Sequence, residues 1–155
     1  MQQITAKVKI FISQPMYGLT DEEIRKTYEY YTEKLKNKFP NAEFIFAIND
    51  AYEGSEFNRI DCLGRSITAM SNADFVAFLP GWKTANGCQI HHYVIERYGI
   101  IEIEPFEYLS QAELSRYWDE DHEIEEAHCK RNNLDYYPNS NVPERRYMAT
   151  PRRGY

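Results

Sequence analysis

The run from 74 to 98, DFVAFLPGWKTANGCQIHHYVIERY, constrains this chain most. It opens on Phe75, Val76, Ala77, Phe78 and Leu79, a short apolar segment with the length and β-favouring make-up of a buried strand. Pro80-Gly81-Trp82 breaks any regular pattern, and Asn86-Gly87 ends the loop. Ile90, Val94 and Tyr98 then recur every fourth residue, a helical period. A strand passing through a glycine-containing loop into a helix is the unit from which α/β sheets build ligand sites. The first N–H groups of the helix lack intrahelical partners, point at the loop and favour anions. An ordinary strand–loop–helix connection has the same outline. Trp82 in the loop, with Asn86, Gln89, His91 and His92 at the helix start, favours a pocket.

The flanking segments repeat the alternation. VKIFI at 8–12 reads as a first strand, and Pro15 and Gly18 make the following Ser13-Gln14-Pro15-Met16-Tyr17-Gly18 a loop. Thr20 and Glu23 have the spacing of a capping box, in which hydroxyl and carboxylate each satisfy a backbone N–H at a helix start. Ile24, Tyr28, Tyr31, Leu35 and Phe39 then share one helical face, and Pro40 ends it. Tyrosines on such a stripe are core residues before they are ligand contacts. EFIFAI at 43–48 reads as a second strand, with Asn49-Asp50 at its end and a loop running to about Asn58. Ile60, Leu63, Ile67 and Met70 mark a second helix, Gly99 is a natural C-cap, and 100–103 forms a fourth strand. Strand–helix alternation of this kind implies a parallel sheet with right-handed crossovers and helices on both faces. Ligands of such sheets bind outside the carboxyl ends of the strands, where the Ser13 loop, Asn49-Asp50 and the Gly81 loop converge.

After Pro105 the character changes. Residues 110–131 read as an acidic helix anchored by Leu114, by Tyr117 or Trp118, and by Ile124, with its seven acids on a solvated face. From Asn132 the chain is polar and punctuated by proline, with Arg145-Arg146 and Arg152-Arg153. This reads as a loose tail or as an arm on a second subunit. Residues 1–108 are therefore expected to form one α/β domain, with 109–155 packed on it or on a second subunit.

Composition narrows the function classes. A hydrophobic content of 43% over 155 residues supports one domain with a real core. No apolar run approaches the ~20 residues that span a bilayer, so no membrane partner is expected. The N-terminus lacks a basic segment followed by a long apolar run, which argues against a secretory signal. Cys62, Cys88 and Cys129 are scattered and form no CxxC pair, the pattern of reduced thiols in a cytoplasm. A net charge of −6 disfavours general nucleic-acid binding. There is no GxxxxGK[ST] and no GxGxxG after the first strand. The adjacent His91 and His92 splay roughly 100° apart on a helix. His122 and His128 have no cysteine at ligand spacing, so no zinc or other metal site is expected. A Ser-His-Asp triad would need Ser13 or Ser66 on a nucleophile elbow, and GxSxG is absent.

FISQPMYGLTDEEI, followed by SITAMSNADFVAFLPGWKTANGCQIHHYVIERYGI, resembles the nucleoside 2-deoxyribosyltransferase-like superfamily. More narrowly it is similar to a small branch common in phages and gut bacteria. The resemblance covers roughly 8–104 and implies a Rossmann-like or flavodoxin-like parallel sheet flanked by helices, here with a C-terminal helical extension and tail. It implies a site for a nucleoside or nucleoside 5′-monophosphate and needs no cofactor. In that chemistry a carboxylate attacks C1′ while the base leaves, and deoxyribose passes to another base or to water. The resemblance puts Ser13, Gln14, Pro15, Met16 and Tyr17 against base and sugar. It puts Gly81, Trp82, Asn86 and Gly87 around the phosphate or 5′ side. Ser66 falls where relatives often carry an acid that holds the sugar, and His91 falls at the nucleophilic glutamate. Relatives commonly form homo-oligomers in which a neighbour completes the site.

A neutral imidazole is a poor partner for an oxocarbenium ion, and loss of a nucleophile costs many orders of magnitude in rate. Asp50 and Glu53 lie where a substitute carboxylate would be, whereas Asp74 reads as a structural residue opening its strand. The alternative for His91 is a helix-start residue bonded to the loop. Three readings follow: N-glycosidic cleavage or deoxyribosyl transfer, catalytically silent binding of a nucleotide or nucleotide signal, and a protein-interaction module.

Overall fold

A computed structural model of the chain describes residues 2–16, 18–46 and 59–133. Among these, four strands, β1 (Lys9–Ser13), β2 (Glu43–Ile45), β3 (Phe75–Phe78) and β4 (Ile101–Ile103), form one sheet in the order β2-β1-β3-β4. All three pairings are parallel, with Ser13 opposite Phe78 in the central pair. The helices are α1 (Asp21–Lys38), α2 (Arg59–Met70), α3 (Asn86–Tyr98) and α4 (Gln111–Arg131). This is the parallel, helix-flanked α/β architecture that the alternation of apolar segments implied, of Rossmann-like or flavodoxin-like type. No helix among the described residues is long and apolar enough to cross a membrane.

Local chemistry sets the element ends. The capping box of Thr20 and Glu23 opens α1, and one of Ser110 and Glu113 opens α4. Gly99 closes α3 at a φ of 73°, a left-handed conformation that side chains with a Cβ resist. Asp74 has the structural role expected of it: its carboxylate accepts the Lys9 N–H at 2.8 Å and ties β1 to β3 at the amino edge. Two boundaries differ from the sequence reading. Asn86 and Gly87 lie inside the first turn of α3 rather than ending the loop, and Trp82–Thr84 coils into a 3-10 turn ahead of it. The described part of β2 stops at Ile45, and Asp50, Asn49 and Glu53 fall outside the described residues, as do Tyr17 and the arginine pairs of the tail.

Strand alternation divides the core into two layers. On one face Ile10, Ile12, Ala77 and Leu79 pack with Tyr31 and Leu35 of α1 and Tyr117 of α4. On the other, Phe11, Val76 and Phe78 pack with Met70 of α2 and Cys88 and Ile95 of α3. Helix α4 runs antiparallel to α1. Lys34 meets Glu113 at 2.9 Å, and the Tyr31 hydroxyl donates to Glu120 at 2.9 Å. Of the two anchors offered for α4, Tyr117 is the buried one, while Trp118 stays 42% exposed. The expectation of a wholly solvated acidic face needs correction. Asp121 is 1% exposed and Glu125 0%, because both fall on the side of α4 that closes against the domain.

Candidate functional site at the carboxyl edge

The chain leaves β1 toward β2 on one side and returns as β3 on the other. The strand order therefore reverses between β1 and β3, and at such a point the two loops diverge and leave a crevice. The Leu79 N–H donates to the Ser13 carbonyl at 3.0 Å, so the pairing of β1 and β3 persists to the edge. Ser13, Gln14 and Pro15 on one side and Gly81 on the other are all buried there; Met16 is half-buried.

Because Ser13 faces the α2/α3 layer, its hydroxyl meets the imidazole of His91. Ser13 Oγ lies 2.8 Å from His91 Nδ1, and Ser66 Oγ of α2 lies 2.7 Å from His91 Nε2. The Ser66 hydroxyl also donates to the Leu63 carbonyl at 2.7 Å. A hydroxyl has one proton, so Ser66 accepts from His91, which carries its proton on Nε2. Nδ1 then accepts from the Ser13 hydroxyl. That hydroxyl is also within hydrogen-bond reach of the Cys88 thiol. The result is one directed chain from β1 through α3 to α2. The edge of the Phe11 ring closes on the imidazole at 5.2 Å. His91 is 7% exposed, and desolvation pulls its pKa from 6.5 down to about 4, so it is neutral at physiological pH. Burial likewise pushes the Cys88 thiol up to about 12, which keeps it unreactive.

The Gly81 loop is shaped by α4. Gly81 has a φ of 83°, and a Cβ there would lie 2.5 Å from Ile124 Cγ2. Its N–H donates to Asp121 Oδ1 at 2.7 Å, and one helical turn earlier the Tyr117 hydroxyl donates to the Phe78 carbonyl at 2.9 Å. A carboxylate of the protein thus already occupies the N–H that a phosphate at this loop would use. Trp82 packs on Phe78 at 4.8 Å and on His92 at 4.7 Å. His92 Nε2 in turn reaches Glu102 at 2.9 Å. Burial, then a hydrogen bond and repulsion from Glu104, raises the Glu102 carboxyl to about 8. Asn86 is exposed at the start of α3, which has no side-chain cap. Gln89 donates to the Lys83 carbonyl.

The structure therefore joins Ser13, Ser66 and His91 in one cluster and brings Gln14, Gly81 and Trp82 to the same edge. It leaves Asn86 at the rim. Asp121, Cys88 and Leu63 are contributors that sequence reasoning missed. The available signal for Asp121 was its place on the apolar stripe of Leu114, Tyr117 and Ile124, where an acid is out of pattern. A depression of about 530 Å³ lined by Ile60, Asp61, Gly64, Arg65 and Thr68 lies on the opposite face of α2 from Ser66 and has no part in this cluster. Among the described residues no group of three or more His, Cys, Asp or Glu side chains is placed to hold a metal ion. No known family, curated protein or solved structure matches the chain.

Proposed function

We propose that the carboxyl edge between β1 and β3 receives a nucleoside or nucleoside 5′-monophosphate, and that this chain retains its ligand without cutting the N-glycosidic bond. The observation that carries the second half is the bonding of His91. In the deoxyribosyltransferase-like chemistry suggested by the sequence resemblance, that position supplies the carboxylate that meets C1′. Here it holds a neutral imidazole with both ring nitrogens committed to serine hydroxyls. Desolvation, which lowers its pKa to about 4, opposes any positive charge on it, and it offers no negative charge to an oxocarbenium ion. Support for the first half is the location of the cluster where β-strand order reverses. The three free cysteines fit a reducing, cytoplasmic setting, and a homo-oligomer belongs to the same proposal.

The test is to incubate the protein with the four deoxynucleosides and their 5′-monophosphates, separate any free base by chromatography, and follow thermal unfolding. A ligand at a hundred times its Kd adds about 2.7 kcal/mol, a shift of several degrees. The expected result is stabilisation without free base, and base release on His91→Glu, whose carboxylate accepts from the Ser13 hydroxyl. Base release by the wild-type protein that survives repurification and is lost in Ser66→Ala returns the site to cleavage or transfer. Absence of stabilisation by every compound removes the nucleotide reading and leaves the interaction module.

A further inference from the structure

The α1/α4 side of the same edge contains two side chains that the cluster around His91 does not use. Gln14 follows Ser13 and so faces the opposite layer. Its Nε2 donates to the Ile24 carbonyl of α1 at 2.7 Å, which fixes the amide and leaves Oε1 buried with no hydrogen-bond partner among the described residues. Asp121 reaches the same layer from α4. Its Oδ1 takes the Gly81 N–H, and its Oδ2 is also buried with no hydrogen-bond partner among the described residues. The two side chains are 5% and 1% exposed. Gln14 follows β1, and Asp121 bonds Gly81 in the loop that follows β3, the neighbouring strand. Each is anchored through one atom and presents the other as an acceptor. A buried acceptor without a donor costs about 1–3 kcal/mol, and an arrangement of two calls for a partner that brings donors.

We propose that Gln14 Oε1 and Asp121 Oδ2 form a subsite for the hydroxyl-bearing side of a pentose, and that this subsite selects nucleosides over nucleoside 5′-monophosphates. The inference rests on the nucleoside reading above and narrows it. A sugar hydroxyl donates to each acceptor and ends the mismatch. A phosphate has no donor to offer, finds the Gly81 N–H already taken, and is repelled by the carboxylate.

The experiment measures affinities of the wild-type protein, Asp121→Asn and Gln14→Glu for each deoxynucleoside and its 5′-monophosphate by titration calorimetry. Unfolding midpoints in denaturant confirm that the variants are folded. The wild type is expected to bind a nucleoside at least tenfold more tightly than its monophosphate. Asp121→Asn keeps an acceptor for Gly81 but turns an amide donor into the subsite, so the preference shrinks or reverses. Gln14→Glu adds charge and gives up the N–H bond to the Ile24 carbonyl, and weakens the monophosphate further. Equal or tighter binding of monophosphates, unchanged in Asp121→Asn, overturns the subsite and leaves the nucleotide pocket standing. Failure of every compound to bind overturns both.

Discussion

The two sides of the carboxyl edge differ in how their polar groups are satisfied. Toward α2 and α3, Ser13, His91 and Ser66 pass hydrogen bonds in one direction, and the last ends on a backbone carbonyl. Toward α1 and α4, Gln14 and Asp121 each have one atom engaged and one idle. The first side behaves as a strut joining three elements, and its loss is felt as stability. The second leaves two buried acceptors without donors among the described residues, an arrangement that costs stability. The histidine that draws attention in the sequence thus lies in a fully bonded network, and the acid that looks like surface is buried with one oxygen unpaired among the described residues.

The largest effect should come from forcing α4 off the edge. Gly81→Ala combines a left-handed backbone with a methyl group inside Ile124, each costing about 1–3 kcal/mol. A fall of about 3 kcal/mol or more in urea denaturation is expected, with loss of any ligand stabilisation. A fall below about 1 kcal/mol would mean that α4 does not hold the loop.

Acid should weaken the strut next. The folded state holds His91 near 4 while the unfolded chain binds its proton near 6.5. The unfolded state therefore takes up the proton first as pH drops. Stability from this residue is complete above about pH 6.5, declines between there and about pH 4, and totals about 3 kcal/mol. Glu102, with its carboxyl raised to about 8, acts in the opposite sense, losing stability as pH rises from about 4.5 to about 8. The His91 share is accordingly read as the difference between the wild type and His91→Gln across that range. Parallel curves for the two proteins would remove the neutral imidazole from the account.

Ser13→Ala and Ser66→Ala should rank in order of burial. Ser13 is 1% exposed and bonded to the acceptor nitrogen, so about 1–2 kcal/mol is expected, against about 1 kcal/mol for half-buried Ser66. Asp121→Asn should show the smallest change in the free protein, from none to a gain of about 1 kcal/mol, since it removes a buried charge and keeps the Gly81 bond. A loss above about 2 kcal/mol would make Asp121 a strut like His91 and erase the contrast between the two sides.

Much of the architecture was readable because its signals are local. Apolar runs of strand length, the stripe from Ile24 to Phe39, Pro40, and the box of Thr20 and Glu23 each act within a few residues. Gly81 and Gly99 announced a turn and a cap, and both have positive φ. The start of α3 was misjudged by two residues, because Asn86-Gly87 is a strong turn signal that the 3-10 turn at Trp82–Thr84 made unnecessary. The resemblance singled out Ser66 and His91 together without saying that they touch. Asp121 was hidden by its company, since an acid among seven in one helix reads as solvated.

From the order of residues alone came the sheet, its parallel sense, the helices on both faces and the edge that the Ser13 and Gly81 loops share. All of these follow from hydrophobic period and turn chemistry, which are properties of short windows. Folding alone decided which donor meets which acceptor. Ser13 and His91 are separated by 78 positions, Ser66 and His91 by 25, and Gly81 and Asp121 by 40. Burial is a property of the closed chain. It makes His91 neutral and puts Asp121 inside, through the packing of layers that no single segment encodes.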